Sequence, residues 1–244
     1  MRRYKKYKGI LGYYPALLKY KINLAFQKPY FGRIYLAQQT TPDRVMAMRK
    51  LIREELREGK SDYNILELGS WTGSSAILWG EECKKVGVGK ILCIDSWSNS
   101  TEYSGEMASG LKNNEIEELF KHNIRTSGLD SYVKYIRGTT DEILPKLEEK
   151  YDLIYIDACH LYNQVKKDIR NSLKLIKPGG IICGDDMDIV PNLSDMSFLE
   201  ANRNIACIKY PGHGSVHPGV ILAVLEEFKD KKINWESGFW SVRI

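Results

Sequence analysis

The stretch that decides the fold is "ILELGSWTGSS", residues 65–75, in which a short apolar run meets a turn with two glycines. Residues 65–68 have the composition of a strand that is buried on both faces. Gly69 and Gly73 follow, and the pattern then becomes helical. A glycine turn at this point lets the backbone approach a ligand closely, and the helix N-terminus favours an anionic group. A plain strand-to-helix turn is the alternative interpretation.

The same order of strand and helix recurs along the chain. Further apolar runs lie at 91–94, 153–156 and 181–183, with 132–136 as another strand candidate, and amphipathic helical stretches separate them. One such helix follows the 153–156 run and is expected to stop at the "KPGG" of 177–180. At the end of the chain, residues 233–244 read as a hairpin. We therefore predict an α/β fold: a Rossmann-like, doubly wound, mostly parallel seven-stranded sheet with an antiparallel C-terminal hairpin.

Composition and charge narrow the class of protein. The chain of 244 residues is 43% hydrophobic, which is typical of a soluble globular protein. Its net charge is +5, but residues 1–42 hold nine Lys and Arg and no acid, so the remainder carries a net charge of −4. That balance argues against nucleic-acid binding by the main domain. The five cysteines show no C-x-x-C spacing, so we expect reduced thiols and a cytoplasmic location.

The basic N-terminal segment suggests a division of the chain. We predict a leader and packing helix over residues 1–60 and the main domain over residues 61–244. Eight of these nine positive charges lie in residues 1–29, interleaved with Tyr, Leu and Ile, and they motivate peripheral contact of this segment with the inner, anionic face of a membrane. The alternative is an arm that covers the active site or joins subunits, and we expect a homo-oligomer.

Acidic residues follow the ends of several predicted strands. Asp95 ends the second strand, 28 residues after Glu67, and Asp157 ends the run at 153–156. Asp185 and Asp186 follow Gly184 at the end of the next strand. Ligands of open parallel sheets bind beyond the carboxyl ends of the strands, where an acid can also bind ribose hydroxyls. A helix cap is the alternative role for Asp95.

Three of these acids predict a cation site. Like charges about 4 Å apart repel by about 4 kcal/mol at an effective dielectric constant of about 20. Asp157, Asp185 and Asp186 at one edge should therefore raise their pKa values or recruit a cation. Oxygen donors of this kind favour Mg²⁺, or failing that another divalent cation such as calcium or manganese. Capping of the following segment by Asp185 and Asp186 is the alternative.

One histidine stands close to that edge. His160 lies three residues beyond Asp157, where an imidazole beside an acidic hydroxyl would be a suitable general base. A helix-start histidine bonded to the backbone is the alternative. Thr139 and Glu142 have the spacing of a capping box in a loop that also faces the ligand edge. Four other rings are candidates either for the pocket or for packing: Trp71, Trp97, His213 and His217.

Together these residues resemble class I S-adenosylmethionine-dependent methyltransferases, and more closely the metal-dependent O-methyltransferases related to the macrocin, mycinamicin and catechol enzymes. The resemblance covers about residues 64–186 and leaves the leader outside. It implies three metal ligands, Asp157, Asp185 and Asp186, and a catalytic role for His160 with Asp157. It also implies that S-adenosyl-L-methionine is bound by Glu67, Gly69, Ser70, Thr72, Gly73, Asp95, Ser96, Gly138, Thr139 and Asp157.

The reaction implied by the resemblance is methyl transfer to an acceptor oxygen whose proton His160 removes. We expect the hydroxyl of a sugar, on a surface glycan or a glycosylated natural product, with residues 187–216 as an acceptor lid. A catechol, another phenol or a phosphate-type oxygen is the nearer alternative. A nicotinamide-dependent oxidoreductase is disfavoured because the glycine turn lacks G-x-G-x-x-G spacing. The acids and His160 argue against a cofactor-binding protein without catalysis.

Overall fold

A computed structural model describes residues 10–31, 41–57, 59–98 and 113–244. Numbered in chain order, its helices are α1 Ile10–Ala25, α2 Pro42–Leu56, α3 Ser74–Val86, α4 Asn113–Thr126, α5 Thr140–Ile143, α6 Tyr162–Leu175, α7 Leu193–Ala201 and α8 Pro218–Glu227. Its strands are β1 Asn64–Leu68, β2 Lys90–Asp95, β3 Val133–Arg137, β4 Tyr151–Ile156, β5 Ile176–Gly184, β6 Ile208–Tyr210, β7 Gly214–Val216, β8 Asn234–Glu236 and β9 Phe239–Arg243.

Seven strands form one sheet in the order β3-β2-β1-β4-β5-β9-β8. The five strands from β3 to β5 pair in parallel, and β9 joins β5 and β8 antiparallel. The order reverses between β1 and β4, which is where a doubly wound sheet binds its ligands. The predicted fold class is therefore confirmed, including the antiparallel C-terminal hairpin.

The core lies in two layers, one on each face of the sheet. Alternate residues of a strand point to opposite faces, so Ile65 packs with α2, α3 and α4 while Leu66 packs with α6 and α8. Both side chains are completely buried. This two-sided burial explains why the central strands are continuous apolar runs.

Helix α2 attaches the leader side of the chain to the first of these layers. Thr41 caps it, with its hydroxyl accepting from the Arg44 amide, and Pro42 occupies the first turn. Met48 and Ile52 are buried against α3 and the C-terminal strands. The domain boundary at residue 60 stays a prediction.

The first nine residues of the basic leader, on which the membrane prediction partly depends, lie outside the described residues, as do residues 32–40. In the part of the chain that is described, no helix is both long and apolar enough to cross a membrane.

One local prediction differs from the structure. The "KPGG" segment lies inside β5 rather than after the helix, because α6 ends at Leu175 and Gly179 and Gly180 exchange backbone hydrogen bonds with Ile244. Residues 187–216, which match no sequence motif, contain α7 and the small β6–β7 hairpin. The helix α7 begins at a complete capping box formed by Asn192 and Asp195.

Candidate active site

The glycine turn after β1 is pressed against the end of β4. Gly69 has φ +85°, and a Cβ atom there would lie 2.0 Å from the carbonyl oxygen of Asp157. A side chain is thus excluded both by conformation and by space. Gly73, with φ +88°, begins α3, and a Cβ on it would come within 3.0 Å of the Phe120 ring. The turn, which is the predicted cofactor loop, therefore lies directly against the carboxylate edge, the edge of the sheet that carries Asp157, Asp185 and Asp186.

Beside this turn lies a buried acid with unused hydrogen-bonding capacity. Glu67 is completely buried, and burial raises the pKa of its carboxyl group to about 8. Ser70 and Ser75 are close enough to moderate that increase in pKa. Even so, neither Glu67 Oε2 nor Ser70 Oγ meets hydrogen-bond geometry with another described residue. Buried polar atoms without partners are costly unless a ligand or water satisfies them, so this turn fits a polar cofactor.

Asp95 organises the loop at the end of β2. Its two carboxylate oxygens accept the backbone N–H groups of Trp71 and Trp97, each at 2.7 Å. Burial raises the pKa of Asp95, although these N–H donors act in the opposite direction. The indole of Trp97 also donates to the Trp71 carbonyl at 2.8 Å. Asp95 thereby holds the glycine turn against β2, and its contact with a ribose stays a prediction.

The other predicted cofactor residues are placed around this edge. Ser96 directly follows Asp95, and its hydroxyl accepts from Ser98 Oγ at 2.9 Å. Thr72 is buried, and its carbonyl accepts from the Asn123 amide. Gly138 donates its N–H to the Asp95 carbonyl at 2.9 Å. Thr139 forms the predicted capping box with Glu142. Contact of any of these residues with a cofactor stays a prediction.

The acids at the ends of β4 and β5 converge on His160. Its Nε2 lies 3.0 Å from Asp186 Oδ2 and 3.5 Å from Asp157 Oδ1. Asp186 directly follows Asp185 and has φ +64°, and its side chain turns toward His160. The Tyr155 hydroxyl donates to Asp157 at 3.2 Å. His160 is itself only 7% exposed, so this cluster is largely withdrawn from solvent.

A second histidine completes the cluster. The rings of His160 and His217 are 4.9 Å apart, and His217 Nδ1 lies 3.6 Å from Asp186 Oδ1. Asp188 fixes His217 by accepting from its backbone N–H at 2.9 Å and contacting Nδ1 at 2.8 Å. Gly219 allows this approach, because a Cβ there would lie 2.4 Å from the His160 carbonyl oxygen. Of the four candidate rings, His217 is therefore the one beside the predicted base.

The remaining candidate rings have other surroundings. Trp97 is completely buried and packs against Phe120 and Tyr135, which is a structural role. Trp71 is partly buried and has φ +44° within the glycine turn. His213 stacks on Tyr210 in the β6–β7 hairpin with ring centroids 5.0 Å apart.

Asp185 faces a different partner. Its carboxylate forms an ion pair with the Arg44 guanidinium of α2, and Arg44 Nη2 lies 4.0 Å from Asp186 Oδ1. Sequence reasoning missed Arg44, because the resemblance begins only at residue 64. It missed the anchoring of His217 by Asp188 as well. The signals available were only a helix start at residues 41–43 and an unassigned acid after Asp186.

Electrostatics divide the acids of the cluster. Burial raises the pKa values of Asp157 and Asp185, and repulsion from Asp186 adds to both increases. The pKa of Asp186 falls despite burial, because His160, His217 and Arg44 surround it. For His160, burial lowers the pKa but the two carboxylates outweigh it and raise the value to about 10. In this arrangement His160 therefore holds a proton at neutral pH.

The donors of this cluster fit a divalent cation. Within the described ranges, the His, Cys, Asp and Glu side chains that converge are His160, Asp186 and His217, whose ligand atoms all lie within 4.8 Å of one another. Carboxylate oxygens and imidazole nitrogens are common ligands of divalent metals. This trio shares only Asp186 with the predicted set of Asp157, Asp185 and Asp186. Ligation by the predicted set stays a prediction.

Comparison with protein families and curated proteins gives two findings. A family model described as a methyltransferase domain matches residues 66–187, half of the chain. O-methyltransferase hkm8 of Aspergillus hancockii is 30% identical over 122 residues, which cover 50% of this chain and 42% of that protein. The chain thus spans less than half the length of this curated relative.

Solved structures agree in fold. The O-methyltransferase from Bacillus cereus in complex with SAH is 18% identical, with a TM-score of 0.54 over 98% of this chain and 93% of that one. The calicheamicin methyltransferase CalS11 is 13% identical, with a TM-score of 0.57 over 94% of this chain and 91% of that one. Identities this low carry the fold alone. With the family match, they confirm the resemblance to class I methyltransferases and the fold predicted from the sequence, whereas the nearer likeness to the metal-dependent enzymes stays a prediction.

Proposed function

The chain belongs to the methyltransferase-domain family, and on that premise we propose that it is an S-adenosylmethionine-dependent O-methyltransferase. The observation that carries the proposal is the contact between the glycine turn after β1 and the end of β4. The Gly69 turn lies against the backbone of Asp157, and Asp157 in turn reaches His160. A cofactor held by the turn would therefore present its reactive group close to a proton acceptor.

Within this proposal the turn binds the cofactor. Glu67 and Ser70 offer buried polar atoms, Gly69 and Gly73 allow close approach, and Asp95 at the next strand end faces the ribose. When bound there, S-adenosylmethionine would supply an electrophilic sulfonium methyl group for transfer to the acceptor oxygen. The protein's own contribution is chiefly to orient the acceptor and exclude water.

His160 is the residue we propose as general base. It is buried beside the cofactor turn and touches Asp157 and Asp186, which would stabilise the imidazolium after proton transfer. Because these carboxylates also raise its pKa to about 10, His160 must lose its proton before turnover. A divalent cation bound to the same carboxylates would weaken their stabilisation of the imidazolium, and this would favour the loss of the proton.

A divalent cation is the second part of the proposal. Asp157, Asp185 and Asp186 would hold it, with Mg²⁺ preferred by an all-oxygen set, and when bound it would act as a Lewis acid that orients the acceptor hydroxyl and lowers its pKa. His217, held by Asp188, lies beside Asp186 and lines the same space.

We propose a sugar hydroxyl as the acceptor. The support is analogy: a second structure of CalS11, described as a TDP-rhamnose 3'-O-methyltransferase, has a TM-score of 0.52 and 13% identity. Residues 187–216 would form the acceptor lid, since Asp188 within this segment reaches His217 beside the predicted base. Catechols, other phenols and phosphate-type oxygens are the competing acceptors.

The test is transfer of labelled methyl from S-adenosylmethionine to matched panels of nucleotide sugars, glycosides and catechols, with Mg²⁺ or with excess chelator. We expect methylated product with a sugar acceptor, and we expect its formation to require Mg²⁺. Full activity in chelator would overturn the metal assignment, and product confined to catechols would overturn the sugar assignment. No methyl transfer to any panel, despite binding of S-adenosylhomocysteine, would contradict the enzymatic function.

The leader and the assembly state complete the proposal. We propose that residues 1–29 contact anionic membranes and that the protein forms a homo-oligomer. Co-sedimentation with phosphatidylserine vesicles should be lost when residues 1–29 are removed, and equal binding by both proteins would refute the membrane contact. Light scattering of the full chain measures the oligomeric state.

A further inference from the structure

A permanent cation from outside the matched methyltransferase region reaches the carboxylate edge. Arg44 lies in the first turn of α2, whereas the family match begins at residue 66. Its guanidinium pairs with Asp185 through Nη1 and lies 4.0 Å from Asp186 through Nη2. The side chains of Arg44 and Asp185 are 15% and 3% exposed, so solvent screens this pair far less than a surface pair.

The surrounding structure makes room for this guanidinium. Gly238, in the turn between β8 and β9, has φ +89°, and a Cβ atom on it would lie 2.9 Å from Arg44 Nη2. The hydroxyl of Thr41 and the ring of Pro42 fix the first turn of α2. Met48 and Ile52, one and two turns later in α2, are buried in the core and hold the helix in place. The capped and buried helix α2 thus places Arg44 in a space that Gly238 leaves open.

The charges that face Arg44 explain why a cation belongs there. Asp185 and Asp186 both lie beside the Arg44 guanidinium, and the negative charge of Asp157 acts on it as well. Asp185 is a predicted metal ligand, and the guanidinium that its Oδ2 contacts would compete with a metal for the electron density of that oxygen. A divalent ion a few ångströms from the guanidinium would also be repelled by it.

We propose that Arg44 is the resident counter-cation of the carboxylate edge and that it competes with a divalent cation for Asp185. Metal binding would then release Asp185 from the first turn of α2, and the docking of α2 would set the metal affinity of the site. This inference rests on the metal part of the proposed function. Arg44 would then act as a positioning residue, and it lies outside the residues that the methyltransferase family model matches.

The test is direct measurement of Mn²⁺ binding by electron paramagnetic resonance of the free ion, at fixed pH, for the full-length protein and three variants. Arg44→Gln should bind Mn²⁺ at least about tenfold more tightly than the wild type, because the competing charge is gone. Arg44→Lys, which keeps a cation, should stay closer to the wild type. Arg49→Gln is the matched control, since this residue of the same helix pairs with Glu81 and Glu82 instead.

Equal Mn²⁺ affinities of the wild type and Arg44→Gln would overturn the proposal, and so would the absence of Mn²⁺ binding by both. Hydrogen exchange on the wild type tests it without a variant: saturating Mn²⁺ should speed exchange at the start of α2, and unchanged exchange there would contradict it. Titration of S-adenosylhomocysteine into the same samples separates failure of this inference from failure of the proposed methyltransferase function.

Discussion

The two ends of helix α2 carry arginines into two different carboxylate clusters. Near its start, Arg44 meets Asp185 and Asp186 at the ligand edge. Farther along, Arg49 and Arg53 both pair with Glu82 of α3, and Arg53 Nε lies 2.9 Å from Glu82 Oε2. Both clusters contain a carboxylate whose side chain is 3% exposed, yet their electrostatics are opposite.

The α2–α3 cluster is satisfied, whereas the ligand edge is not. Burial acts to raise the pKa of Glu82, but hydrogen bonds from Arg53, Lys85 and Arg49 outweigh it and lower the value to about 2. At the edge, burial and neighbouring acids raise the pKa of Asp185 well above its usual range, although Arg44 opposes them. At the clamp the hydrogen-bond donors outweigh the burial of Glu82, whereas at the edge burial and neighbouring acids outweigh Arg44 at Asp185, and a buried acid with a raised pKa is typical of a functional site.

The largest effect expected on the edge is the loss of turnover in His160→Ala. Removal of a general base should lower kcat by about 10² to 10⁴, while S-adenosylhomocysteine binding persists because the glycine turn is intact. Rates under single-turnover conditions and calorimetry measure the two quantities. His122→Ala is a control, since His122 is a buried histidine that contacts the Lys28 carbonyl instead. Unchanged kcat in His160→Ala would exclude a base at this position.

On the clamp, Glu82→Gln should cost stability rather than activity. We expect about 1–2 kcal/mol lower unfolding free energy by urea denaturation, since charged hydrogen bonds are lost but Arg53 and Lys85 are half exposed. The folded pKa lies below the unfolded one, so this stability is present above about pH 4.5 and disappears as the pH falls toward about 2. A difference between the two proteins that persists undiminished at low pH would contradict the assignment.

A smaller effect is expected for Arg49→Gln. Glu82 keeps Arg53 and Lys85 as partners, and the Arg49–Glu81 pair is partly exposed with a separation of 2.6 Å. The unfolding free energy should therefore fall by less than about 1 kcal/mol. Urea denaturation beside Glu82→Gln measures this, and an equal or larger loss would mean that Arg49 alone holds the clamp together.

The smallest effect on stability is expected for Asp185→Asn. Burial and the neighbouring acids oppose the charged form of Asp185 while Arg44 stabilises it, so these effects partly cancel and neutralising this acid should change the unfolding free energy by less than the Glu82→Gln substitution does. Thermal and urea denaturation in the absence of divalent cations compare the two variants. If Asp185→Asn is the more destabilised, the edge is as well balanced as the clamp and the contrast between them fails.

Much of the fold was predictable because parallel strands buried on both faces leave continuous apolar runs, as at 153–156. The acids of the edge were predictable for the same reason, since each directly follows a strand. The short β6–β7 hairpin was not predicted, because three-residue strands leave no periodic signal. The "KPGG" of β5 was mistaken for a helix stop, because its pairing with Ile244 is long-range.

The parts of the site that sequence could not supply depend on tertiary contacts. The pairing of Arg44 with Asp185 spans 141 residues, and nothing near Arg44 in the sequence distinguishes it from Arg49 or Arg53. The placement of His217 beside His160 likewise depends on the packing of α8 through Gly219. Local patterns name the strand ends, whereas the charges that arrive from distant helices require the folded chain.

The most direct test of the central claim is calorimetric titration of S-adenosylhomocysteine into the wild type and into Asp95→Ala. Asp95 holds the glycine turn through the amides of Trp71 and Trp97 and is the acid proposed to face the ribose. The proposed cofactor site requires binding of one molecule per chain by the wild type and at least about tenfold weaker binding by the variant. Absence of binding to the wild type, or equal affinity of both proteins, would contradict it.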